Sequence, residues 1–510
     1  MAERRHSGNA AGYRPWPLAA GLGFAIAALL LAPLLGLKIA ASDDLMTGRV
    51  SWPVLLLGVW LCGWLFWWLL MPRWSSAMPL AGAAAGTLTG FLSYPVVIGL
   101  AELLHGLAQT GEPGRPGGVD RVLWVTGLAL MTTGFPAIAG MALIGWLAAL
   151  ALARWRPWPQ AGLANDSRPR AANPLWRRVR WLLGGVAVLV VVVLAGSFAY
   201  LSLLPVPVDG LSTRPSPTVP AKSYAQALAA FAAIRRTEAA LELHPRCPSQ
   251  LLTHGRKTAM AVIFFHGLTS CPAQGEELAK AVHALGYNVY LPRMFGHGEA
   301  DAETLSLADL TAEYLVDLGN ESTDLAQGLG DAVIVVGLSA GGTIAAFIAQ
   351  NRPDVAHALP VSPFLGPYVI PPWATAGATN LVLGLPNTMF PANPLAPVTA
   401  PGSDYAFPTP STHTLAQVMR LGQAVLRDAA ERPPAVRHIS LLLNEADVAV
   451  NNRVTEELVD RWRGHGQTVT VRALAFSNHL PHDLINPHEI FGDIDLVYSL
   501  LAGMIREAGP

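Results

Sequence analysis

Hydrophobic and polar positions divide this chain into two unlike parts. Up to about residue 204 the apolar residues stand in long runs, Pro17–Leu37, Trp52–Met71, Pro79–Leu104, Val122–Ala153 and Trp181–Leu204. Each is long enough for a hydrocarbon layer of about 30 Å, so residues 17–204 are expected to form an all-α transmembrane region of about five helices. The first run is too long for a signal-peptide core and is followed by more of its kind, so it reads as a retained anchor. The fourth carries Pro136 and is long enough to be a kinked helix or a re-entrant pair.

Charge decides between these. The loop 154–180 carries Arg154, Arg156, Arg168, Arg170, Arg177, Arg178 and Arg180, and the polar segment 1–16 carries Arg4, Arg5 and Arg14. Basic loops stay in the cytoplasm, so an even number of spans separates the two segments and the fourth run crosses once. The fifth then carries the chain out of an inner membrane, placing everything after it on the periplasmic or extracytoplasmic side. Glu102 and His105, near the end of the third run, read as groups reaching the interface, and Trp60, Trp64, Trp67 and Trp68 as interfacial packing.

Prolines 205, 207, 215, 217 and 220 make residues 205–221 a stiff, extended linker that spaces the following domain from the membrane. Residues 222–510 form that domain, beginning with an amphipathic helix at Ser223–Leu243. Short β-branched runs follow at Ala259–Phe265, Tyr287–Leu291, Ala332–Val336, Ala356–Val361, His438–Leu443 and Val469–Phe476. Helix-like runs stand between most of them, at Pro272–Leu285, Leu307–Leu329, Gly342–Gln350 and Arg453–Arg463, and Asp493–Ile505 closes the chain. Such alternation predicts an α/β fold, a mainly parallel sheet with helices on both faces and ligands at the carboxyl ends of its strands. The interval of about 363–437 breaks the rhythm. It is too long for a structureless loop, so it is expected to be a cap, and Phe364, Tyr368, Trp373, Phe390, Tyr405 and Phe407 would give it an apolar acyl pocket.

Composition narrows the partners. The net charge is −1 and no basic tract is interleaved with aromatics, which argues against nucleic acid. None of the three cysteines, Cys62, Cys247 and Cys271, sits in a cluster with metal-ligand spacing, so no metal or other cofactor is expected. Cys247 and Cys271 read equally as buried thiols or as a disulfide, the latter favoured in an oxidising compartment.

The chemistry centres on Gly337-Leu338-Ser339-Ala340-Gly341, which lies between a strand-like and a helix-like run as a nucleophile elbow requires. A serine hydroxyl needs a base, and the base an orienting group. After the strand at 438–443 the candidate acids are Asp447 and Glu445, and Asp447 is preferred because a short side chain on that loop can hold an imidazole. In Asn478-His479-Leu480-Pro481-His482-Asp483 either histidine could be the base; His482, at the entry to the last helix, is preferred on placement. Oxyanion donors are expected from the backbone N–H groups of Ala340 and Leu268. His266 reads as a structural hydrogen-bonder and His297, in Gly296-His297-Gly298, as a turn residue.

Phe265-His266-Gly267-Leu268-Thr269-Ser270-Cys271-Pro272, Pro292-Arg293-Met294-Phe295-Gly296-His297-Gly298, the elbow, Asp447 and Leu480-Pro481-His482-Asp483 together resemble bacterial α/β-hydrolases of the carboxylesterase and monoacylglycerol-lipase-like group. The resemblance covers roughly residues 240–510. It implies an α/β-hydrolase fold with Ser339, Asp447 and His482 as catalytic residues and Leu268 and Ala340 as oxyanion donors. Two positions depart from the pattern. Asn444 stands where relatives often have glycine, and Ser477-Asn478-His479 resembles the Ser-Gly-His of some of them, which keeps His479 open as the base. The expectation is a membrane-anchored serine hydrolase acting on acyl or lipid esters. An acyltransferase with the same residues, or a non-enzymatic sensor or assembly protein with a hydrolase-fold binding module, are the alternatives.

Overall fold

The computed structural model describes residues 199–510 except 302–304, 369, 388–404, 406–409, 488, 490–491 and 508–510; before residue 199 it describes only 24–25, 39–40, 50–51, 57, 59–66, 85–86, 88–89 and 196–197. The chain divides into two compact units, Met1–Ser197 and Phe198–Pro510. In the first, Ile39–Ala40 and Val50–Ser51 pair in parallel and residues 59–66 are helical. The five expected spans lie almost entirely outside the described residues. Among the described residues, no helix is long and apolar enough to cross a membrane.

The second unit is built on a seven-stranded sheet. Its strands are β1 (Gln250–Leu252), β2 (Thr258–Phe265), β3 (Asn288–Leu291), β4 (Gly330–Leu338), β5 (His357–Val361), β6 (His438–Asn444) and β7 (Val469–Leu474), in the order β1-β3-β2-β4-β5-β6-β7. All neighbours run parallel except β1, which pairs antiparallel with β3 at the edge. The other six strands match the expected ones within a few residues. Three-residue β1 is too short to leave a periodic trace.

Helices cover both faces. They are α1 (Tyr224–Glu238), α2 (Glu276–His283), α3 (Ala312–Ala326), α4 (Ala340–Asn351), α5 (Thr375–Gly384), α6 (Thr412–Glu431), α7 (Asn452–Gly464) and α8 (Ile494–Glu507). Alternation along β2 shows why: Ala261, Ile263 and Phe265 join a core shared with α3, α4, α6 and α7, while Met260, Val262 and Phe264 join one shared with α2 and α8. A strand buried on both faces has no polar side to present, hence the unbroken apolar runs.

Two expected segments behave differently from their sequence reading. Residues 205–221 do not stand off as a spacer but are strapped along the domain, with Val208 and Leu211 buried in the larger core. Arg214 pairs with Asp317 at 2.5 Å, and the Ser216 and Thr218 hydroxyls donate to Asp324 at 2.6 and 2.8 Å. Proline fixes an extended course but says nothing about what the course lies on. The expected cap at 363–437 is also narrower: α6 buries Val418, Leu421, Ala424 and Val425 in the main core, which makes it a helix of the body. Of the cap proper, α5 is described.

Candidate active site

Ser339 stands between the end of β4 and the start of α4, as the residue that caps the helix, with φ 58° and ψ −115°. Its N–H donates to the Val361 carbonyl and its own carbonyl accepts from Thr343 and Phe364, each at 3.0 Å, so three backbone bonds hold the turn. The positive φ is unfavourable for serine and persists because the surroundings fix it. A Cβ on Gly341 would stand 2.1 Å from the Phe265 carbonyl oxygen, so only glycine lets α4 approach the loop after β2 this closely. That loop carries Gly267, whose own Cβ position is 3.7 Å from Ser339 Cβ. Among the described residues, no acceptor takes the N–H of Leu268 or of Ala340.

Asp447 follows β6 and is completely enclosed. Its Oδ1 accepts from the Ala449 and Val450 N–H groups at 2.8 and 3.1 Å, which leaves Oδ2 for His482 Nδ1 at 2.7 Å. With Nδ1 donating, Nε2 is the basic nitrogen of that imidazole. Burial by itself would lower the His482 pKa, but the charge and hydrogen bond of Asp447, with Asp483 and Glu489 nearby, outweigh it and raise the pKa above the ordinary histidine value. Asn444 acts on the same loop, its Nδ2 donating to the Leu480 and Pro481 carbonyls at 2.9 and 3.0 Å. A glycine there could not make these bonds.

The competing residues are placed elsewhere. Glu445 is exposed and accepts the Phe476 N–H at 3.0 Å. His479 is exposed, in the left-handed region at φ 49°, with its ring edge-on to Phe476. His266 is buried, its Nδ1 donating to the Gly267 carbonyl and its Nε2 accepting the Met294 N–H. Burial first, then the neighbouring His297 and Arg293, push its pKa well below the usual value, so it is a neutral brace between two loops. His297 is equally buried, bonded to the Phe295 carbonyl, with its pKa lowered to about 4 by burial. Among the aromatics expected to line a pocket, Phe364 and Tyr405 are buried and Trp373 is largely exposed, so Trp373 does not line an enclosed pocket; Phe390 and Phe407 lie outside the described residues.

One contributor escaped the sequence reading. Gln274, buried at the turn before α2, accepts the Gly267 N–H on Oε1 at 2.7 Å and interacts through its amide with Asp483, next to His482. It therefore joins the loop that carries Leu268 to the loop of the histidine. Asp483 itself has Oδ1 buried without a hydrogen-bond partner among the described residues, and burial raises its pKa against the pull of Gln274 and His482. Cys247 and Cys271 form a buried disulfide that fixes the same loop from the other end, and Tyr405 packs on it. Among the described residues, no cluster of His, Cys, Asp or Glu could hold a metal ion.

A serine on a sharp strand-to-helix turn and a buried aspartate bonded to a half-buried histidine, all at the carboxyl edge of the parallel strands, make up the α/β-hydrolase arrangement. Residues 256–486 match the family described as serine aminopeptidase, S33. A thermostable monoacylglycerol lipase of Bacillus sp. (strain H-257) is 31% identical over 105 residues, which is 20% of this chain and 40% of that protein. The segment 256–486 thus carries the fold and the sequence marks of a serine hydrolase of the lipase and esterase type. Solved structures with a similar fold include the monoacylglycerol lipase of Paleococcus ferrophilus, at 16% identity, covering 52% of this chain and 100% of that one with a TM-score of 0.38. A soluble variant of the monoglyceride lipase of Saccharomyces cerevisiae is 12% identical, covering 51% and 92%, with a TM-score of 0.40.

Proposed function

We propose that this protein is a membrane-anchored serine hydrolase that cleaves acyl esters through an acyl-serine intermediate. The observation that carries the reading is the 2.7 Å bond between buried Asp447 and His482, on the same sheet edge as the strained Ser339 turn. His482 Nε2 takes the Ser339 hydroxyl proton as Oγ bonds to the substrate carbonyl carbon. The Leu268 and Ala340 N–H groups receive the oxyanion, and the leaving alcohol departs with the proton from His482. Water, deprotonated by the same imidazole, then releases the acid and restores the serine.

The names of the matching family and protein differ in the bond cleaved, amide for the aminopeptidase family and ester for the lipase. Both reactions transfer an acyl group to serine. The ester reading, with a monoacylglycerol-like or other lipid substrate, fits a chain whose first two hundred residues are mostly apolar. The Arg-rich loop 154–180 and the Cys247–Cys271 disulfide support an extracytoplasmic domain, since disulfides persist in oxidising compartments. A fluorophosphonate probe should label the wild-type protein and not Ser339→Ala; labelling of both, or of neither, would overturn the proposal. Turnover of p-nitrophenyl esters but not of aminoacyl p-nitroanilides would separate ester from amide cleavage. For topology, a periplasm-dependent reporter fused after Pro510 should be active.

A further inference from the structure

The cap helix α5 is attached to the end of the last apolar run. Residues 199–203 are helical, and α5 packs on them so closely that a Cβ on Gly377 would stand 2.1 Å from Ser202 Oγ and 3.0 Å from Ser202 Cα. Asn380 Nδ2 donates to the Leu201 and Leu204 carbonyls, each at 3.0 Å, and so caps the C-terminal turn of that run. Immediately downstream the strap 205–221 is pinned to the domain by buried Val208 and Leu211, by the Arg214–Asp317 ion pair and by the Ser216 hydroxyl on Asp324, so no slack separates the end of the run from the enzyme body. On its other side α5 leads straight back to the reaction centre. The Tyr368 N–H bonds to the Ala449 carbonyl, Asn451 N–H to the Gly366 carbonyl, and Asn451 Nδ2 to the Ile370 carbonyl, which stitches the approach to α5 onto the loop that holds Asp447.

This pair of elements is apolar and open. The segment Trp373–Leu385 carries no charged residue, and large hydrophobic side chains stand out from both elements: Leu203 at 84%, Trp373 at 66%, Tyr200 at 63% and Leu385 at 43% exposure. A soluble domain rarely leaves so many together without a surface to place them on. The run that ends at Leu204 is long enough to cross a bilayer, which identifies the surface.

We infer that α5 and residues 199–204 form a platform that docks on the extracytoplasmic leaflet of the bilayer, so that the cap is held at the lipid surface and the ester enters from the membrane. This rests on the membrane-anchored reading above. Large apolar side chains beside a span end would sit at the boundary of headgroups and acyl chains, as interfacial anchors do.

The test uses the full chain, with Cys62 replaced by Ala, in vesicles of phosphatidylcholine and phosphatidylglycerol. An environment-sensitive fluorophore is placed at Trp373→Cys, Leu385→Cys or, as a reference at the amino edge of the sheet, Lys257→Cys. Quenching by doxyl-labelled phospholipid should be at least about threefold stronger at 373 and 385 than at 257. Equal quenching at all three, or shielding at 373 and 385 without quenching, would overturn the inference; the second outcome means that the chain itself covers the platform. Leu203→Asp with Leu385→Asp should slow turnover of a vesicle-embedded monoacyl ester by about tenfold and leave a soluble short-chain ester within about twofold. An equal effect on both esters would count against it. Failure of the underlying readings looks different: without anchoring the protein does not float with the vesicles, and without the proposed chemistry the wild type turns over neither ester while the quenching pattern still stands.

Discussion

The two arms of the site are held by different physics. The Ser339 arm is fixed chiefly by main chain: three backbone hydrogen bonds, with the Thr343 hydroxyl added on the Ser339 carbonyl, and a close contact that excludes any side chain at position 341. The His482 arm is fixed by side chains: Asp447 on the ring, Asn444 on the Leu480 and Pro481 carbonyls, and Gln274 on the neighbouring Asp483. A backbone-built arm tolerates almost no substitution at its glycines but is indifferent to its surroundings. An arm built from side chains can be weakened one bond at a time, and its pKa moves as it is weakened.

The strongest way to break the comparison is at the histidine. His482→Ala should lower kcat/KM for a short p-nitrophenyl ester by about 10⁴-fold, and His479→Ala should change it by less than about threefold. The reverse pattern would assign the base to His479. Asp447→Asn follows, with a loss of about 10³-fold, because the amide can present the wrong tautomer of the ring. Its pH profile carries more information than its size. The base must be neutral, so activity of the wild type is lost as pH falls through the raised His482 pKa. Removing the Asp447 charge takes away the largest upward pull and leaves burial opposed only by Asp483 and Glu489, so the acidic limb of the profile should move to lower pH in the variant.

Gly341→Ala probes the other arm. The added Cβ meets backbone oxygen rather than a movable side chain, so the variant should lose about 3 kcal/mol of stability, seen as a lower midpoint in denaturant. This difference between the arms also explains what could be read from the sequence. Close backbone approach demands glycine at fixed spacing, so the elbow announces itself in five letters, and strands buried on both faces announce themselves as apolar runs. Side-chain bonds between loops leave no such spacing. Asn444 reads in the sequence as a departure from pattern, and only its bonds to 480 and 481 give it a role; His479 and His482 are separated only by which one Asp447 reaches. The strap at 205–221 was hidden for a related reason, since its partners Asp317 and Asp324 lie about a hundred residues away.

Gln274 sharpens the comparison most finely, because it touches both the loop that carries Leu268 and the loop that carries His482. Its Oε1 holds the Gly267 N–H and its amide reaches Asp483, so it transmits the position of the donor loop to the histidine loop. Gln274→Leu keeps the volume and deletes the bond to Gly267 and the interaction with Asp483, leaving a buried Gly267 N–H without a partner. Loss of one such positioning contact should cost about tenfold in kcat with KM little changed. Gln274→Glu should restore the bond to Gly267 while placing a carboxyl against Asp483. If the coupling is real, that variant recovers part of kcat but shifts the acidic limb upward, since added negative charge beside His482 favours the imidazolium. A purely packing role for Gln274 would lower stability in Gln274→Leu and leave the position of the limb where it was in both variants.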